Sequence, residues 1–102
     1  MKYIKTTASN GYEHTIRLDA IRYVRQTHNN QIRLMIGVEH HDYDEIVIQV
    51  TEAGSGDSEF YSLKDSFVKE FVRIMSGKST ISDLNLKQAD GTPYTIVSVS
   101  ID

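Results

Sequence analysis

Ser62-Leu63-Lys64-Asp65-Ser66-Phe67-Val68-Lys69-Glu70-Phe71-Val72-Arg73-Ile74-Met75-Ser76 is the stretch that decides the fold, because its apolar residues recur with helical period. At about 100° per residue, Leu63, Phe67, Val68, Phe71, Val72, Ile74 and Met75 fall on one half-circle. Asp65, Ser66, Lys69, Glu70, Arg73 and Ser76 fall on the other, and Lys64 intrudes in the first turn. Ser62 is the expected N-cap, its hydroxyl reaching the amide of Asp65, and Asp65 suits the positive end of a helix. Gly77 is the expected C-terminal stop. A surface helix needs an apolar arc of somewhat over about 100°. Half a circle is more than one sheet face covers. Burying each large side chain contributes roughly 1.5–3 kcal/mol, so this helix supplies much of any core.

Outward from the helix, most of the chain alternates with period two, the mark of strands. Asn10-Gly11 predicts a type I′ hairpin joining strands 2–7 and 12–18, since that turn needs positive φ at both central residues. Asn29-Asn30 predicts the same for strands 21–27 and 31–38. A two-residue loop there sets Tyr23 opposite Ile36, Arg25 opposite Leu34 and Thr27 opposite Ile32. On that register Ile21, Tyr23, Arg25 and Thr27 share the core face with Ile32, Leu34, Ile36 and Val38. Ile46, Ile48 and Val50 alternate inward on a further strand, 45–51. Beyond the helix, strands 84–88 and 93–101 flank Asp90-Gly91, with Leu84 expected to face Val97 and Leu86 to face Thr95. The expected fold is a single α+β domain over residues 1–102. It comprises a mainly antiparallel sheet, or partly open barrel, of about seven short strands, with one amphipathic helix at about 62–76 packed on it.

Composition narrows the functional classes. A chain of 102 residues with 39% apolar content can bury one modest core. It has no cysteine, which removes disulfides, thiolate catalysis and Cys-based zinc. No run approaches the ~20 apolar residues needed to cross a bilayer, and the N-terminus lacks a signal-like apolar stretch. The expectation is a cytoplasmic protein without a membrane partner. Charge is segregated. Residues 1–38 hold six Lys/Arg against two acids, net +4, and residues 39–70 hold nine acids against two lysines, net −7. The remainder balances three against three, and the sum is the overall −3. Such polarity steers partners.

Two surfaces stand out. Arg25, placed on an apolar face, is a candidate anion ligand because guanidinium forks match carboxylate and phosphate. Arg17, Arg22, Arg33 and Tyr23 are its candidate helpers. The wide apolar face of the helix, Phe67, Val68, Phe71, Val72 and Met75, is the candidate interface. His40-His41-Asp42 with Glu39, Asp44 and Glu45 has metal-like composition, but adjacent residues of an extended chain point to opposite sides. His14 shares a face with Tyr12, Ile16 and Leu18 and reads as a semi-buried histidine. Ser55, Asp57 and Ser58, in a glycine-containing loop, lack the elbow of a serine nucleophile. An acidic pI of about 5.7 and few stacking aromatics argue against a nucleic-acid partner. No cofactor motif is present, and nothing compels an enzyme. The leading expectation is a non-enzymatic module that self-associates or binds another protein through its helix and sheet surface. The alternative is a sequestering binder of a small anion or nucleotide at Arg25 and its neighbours.

Overall fold

The computed structural model describes residues 1–37, 44–51, 62–88 and 91–101. Among these residues the chain is α+β, with seven strands in two mostly antiparallel sheets and one helix. Strands β1 (Tyr3–Thr7) and β2 (Glu13–Arg17) lead through a 3-10 turn (Leu18–Ala20) into β3 (Ile21–His28) and β4 (Gln31–Ile36). Then come β5 (Asp44–Val50), helix α1 (Ser62–Ser76), β6 (Ile81–Asp83) and β7 (Ile96–Ile101). The smaller sheet runs β2-β1-β6 and the larger β3-β4-β5-β7. β6 pairs parallel with β1, the one parallel contact among the described strands. Residues from both sheets and from α1, including Ile4, Ile16, Ile32, Leu34, Ile48, Leu63, Phe67 and Ile74, form one buried cluster.

The helix occupies the residues its periodicity predicts. Both flanking hairpins exist, but with other turn chemistry. Asn10-Gly11 sits in a three-residue loop: the Gly11 amide donates to Ala8 O, the Ala8 amide donates to Tyr12 O, and Gly11 has φ +90°. That is the longer hairpin loop closed by a left-handed glycine rather than the two-residue type I′ turn. Gly91 repeats it, with φ +91° and amide bonds from Gly91 to Gln88 O and from Gln88 to Thr92 O. The expected strand over 84–88 is instead β6 at 81–83 followed by an irregular run, bridged to the next segment at Lys87 and Pro93. The predicted facings of Leu84 and Leu86 therefore do not form, although both side chains are buried. Gly77 follows the helix directly without a positive φ. The cap expected from the Ser62 side chain lies outside the described residues.

The register of β3 on β4 corrects the placement of Arg25. The two-residue turn is present, with His28 opposite Gln31. A bulge between Gln26 and His28 then slips the ladder by one, and a second lies between Ile21 and Tyr23. Each bulge adds one unpaired residue to β3. Arg25 consequently faces Arg33, Val24 faces Leu34, and Gln26 faces Ile32. A one-residue slip turns a strand's side chains to the other face. Val24 and Gln26 point to the core, whereas Arg25 stands on the outer face, half exposed at 51%. Thr27 and Tyr23 leave the predicted core face as well, Tyr23 with 53% of its surface exposed.

Candidate functional site

The helix is held by three neighbours, and their arrangement decides which of its residues remain available. At its first turn the Lys64 amide donates to Gln26 Oε1 at 3.0 Å, while Gln26 Nε2 donates to His28 O. A buried glutamine on the sheet thus satisfies one of the helix's orphan amides. At its last turn the Lys2 ammonium donates to Ile74 O and Gly77 O, where a cation suits the negative helix end. Along one flank the chain at 83–87 is tied to the polar face. Asn85 N donates to Glu70 Oε1 at 2.7 Å, Lys87 N to Ser66 Oγ at 2.8 Å, and Arg73 Nη2 to Asp83 O at 3.1 Å. Burial works against the Glu70 carboxylate, but the Arg73 guanidinium and the Asn85 amide outweigh it and hold its pKa below the ordinary range.

Those ties turn the helix away from the centre of its own apolar arc. The buried side chains are Leu63, Phe67 and Ile74, and Phe71 is half-buried. At about 100° per residue they occupy one side of the half-circle. Val68, Val72 and Met75 occupy the other side and stay exposed at 46%, 57% and 52%. Phe67 therefore belongs to the core and does not present interface surface. Beside this stripe a groove of about 200 Å³ separates β3 from α1, lined by Ile21, Tyr23, Val24, Phe67, Val68 and Phe71, with Arg22 and Lys64 on its walls.

The five candidate anion-binding residues do not converge. Arg25 Nη2 and Arg33 Nη1 each donate to Glu45 at 2.9 Å, one to each carboxylate oxygen. The fork that could grip an external carboxylate already holds an internal one. Arg17 forms a two-bonded pair with Asp19, and Arg22 and Tyr23 line the groove by α1. Arg33, ahead of Arg25, lowers the Glu45 pKa. A depressed carboxylate stabilises the fold above its unfolded pKa, and that contribution is lost as pH falls through the folded value. In urea titrations, Glu45→Gln is expected to flatten the fall in stability below about pH 4.3, the ordinary glutamate pKa. An acid limb identical to the parent's would show that the clamp does not hold Glu45 ionised.

The histidine–acid run at 39–43, and Ser55, Asp57 and Ser58, lie outside the described residues, as does the side chain of Asp44. Among the described residues no group of three or more His, Asp or Glu side chains could hold a metal. His14 is half-buried, and its Nδ1 has no hydrogen-bond partner among them. A polar cleft of about 460 Å³ lies between β1, β6 and residues 94–96, where Lys5 is engaged with Asp83 at 3.6 Å and Glu13 at 4.0 Å. No helix among the described residues is long and apolar enough to cross a membrane. The role of Gln26 escapes sequence reading, since a glutamine in an alternating run gives no signal that its amide will cap a helix 38 positions away. Comparison with protein-family models, with curated proteins and with solved structures finds no match.

Proposed function

We propose that the protein is a non-enzymatic interaction module that self-associates through the open flank of α1 and the groove beside β3. The observation that supports this most is the exposed row Val68, Val72 and Met75 on a helix whose remaining apolar residues are buried or, at Phe71, half-buried. A contiguous apolar stripe on a small domain marks an interaction surface. Two helices related by a two-fold axis would lay the same three side chains against each other, a self-complementary contact. Apolar burial supplies the affinity, and Arg22, Lys64 and Asp65 around it set orientation. The alternative, a small anion held by Arg25 and its neighbours, fits the geometry less well because Glu45 already fills the fork between Arg25 and Arg33.

Sedimentation of the parent protein at tens of micromolar, in low and high salt, tests this reading. The expected result is a mass above the 11.6 kDa monomer in both, because apolar contacts survive screening. A strict monomer in both salts would overturn it.

A further inference from the structure

The two edges of the larger sheet are built differently. β3, at one edge, contains two bulges and carries Arg22 and Arg25, devices that blunt an edge against pairing. Pairing β3 antiparallel with its own copy would also bring these arginines against one another. β7, at the other edge, reads Ile96-Val97-Ser98-Val99-Ser100-Ile101, without charge, proline or glycine, and its one register shift against β5, at Val97, lies near its start and leaves Ser98–Ile101 regular. Val97 is 41% exposed and Ile101 70%. One backbone bond of β7 outside the sheet is accounted for, with the Ser9 amide donating to Ile96 O.

The pattern of β7 also reads alike in both directions. An antiparallel pair centred on Val99 sets Val99 against Val99 and Ser98 against Ser100, with the bulge residue Val97 of each strand near Ile101 of the other. Apolar side chains then meet apolar ones on one face, serines meet serines on the other, and no charges are opposed. In the sheet, Val99 and Ile101 face the side of Ile48 and Ile46, while Ser98 and Ser100 neighbour Gln49 and Val47. A two-fold axis at Val99 would therefore join the core faces of two sheets into one continuous layer.

We infer that β7 is a second self-contact, whose occupant is β7 of another copy, giving an eight-stranded sheet across a two-fold axis. The inference builds on the self-association reading but uses a separate surface. With α1 packed on β3 and β4, and β7 the opposite edge of the same sheet, the two contacts use separate surfaces and copies add in alternation.

The test is sedimentation of four proteins and one mixture. The parent is expected to assemble beyond a dimer. Val72→Glu, which blocks α1, and Ser98→Lys/Ser100→Lys, which places like charges across the β7 pair, are each expected to stop at a dimer, and their combination at a monomer. The lysine pair should weaken β7 association more than about tenfold. Mixing it with Ser98→Glu/Ser100→Glu should restore the larger assembly, which separates lost pairing from lost folding. If the lysine variant assembles like the parent, or Val72→Glu is monomeric, β7 pairing is overturned. If Val72→Glu matches a dimeric parent while the lysine variant is monomeric, β7 stands and the α1 contact falls.

Discussion

Phe67→Ala is expected to destabilise the protein by about 3–5 kcal/mol, the usual cost of truncating a buried phenylalanine. Phe67 keeps 1% of its accessible surface and sits where α1 meets the larger sheet, tilted against Phe71 at a centroid separation of 6.4 Å. Its removal leaves a cavity in a core that the sheets and the helix share, so no single element can close it. Total stability of a domain this size is about 5–15 kcal/mol, and the variant would lose a large part of it. Urea denaturation followed by circular dichroism provides the measurement, with a lower midpoint at unchanged slope. Val72→Ala, on the exposed flank, should stay within about 0.5 kcal/mol at concentrations where the protein is monomeric. Similar losses at the two positions would mean that α1 is not rotated as described.

Gln26→Ala is expected to cost about 1–3 kcal/mol, because it removes the side-chain acceptor of the Lys64 amide and a donor to His28 O from a buried position. The side chain is 8% exposed and bridges the Lys64 amide and His28 O, both at 3.0 Å. Gln26→Leu separates packing from polarity: it fills similar space yet satisfies neither group, so it should destabilise by a comparable amount. Amide hydrogen exchange at the start of α1 should quicken in both variants. A stable leucine variant with unchanged exchange would contradict a capping role.

The helix was legible from Leu63 to Met75 because a 3.6-residue period over four turns has no strand reading. The hairpins were legible at Asn10-Gly11, Asn29-Asn30 and Asp90-Gly91 because each dipeptide tolerates turn geometry. What escaped was the residue count around them. Gly11 closes a three-residue loop, and the bulge after Gln26 shifts every pairing up to Tyr23. Bulges answer to twist and to packing across the sheet, and alternation alone does not locate them. That single slip moved Arg25 from an apolar face to an ion pair with Glu45 and moved Gln26 into the core. The excess width of the apolar arc was visible in sequence. Which part stays open was not, since it depends on Lys2, Gln26 and Asn85 gripping the helix from outside.

The parent chain has no cysteine, so one introduced thiol reports one contact. Val72→Cys, treated with a short bis-maleimide at tens of micromolar, is expected to give a cross-linked dimer, while Glu13→Cys on β2 under the same conditions stays uncross-linked. Equal cross-linking at both positions, or none at Val72→Cys, would contradict self-association through the open flank of α1.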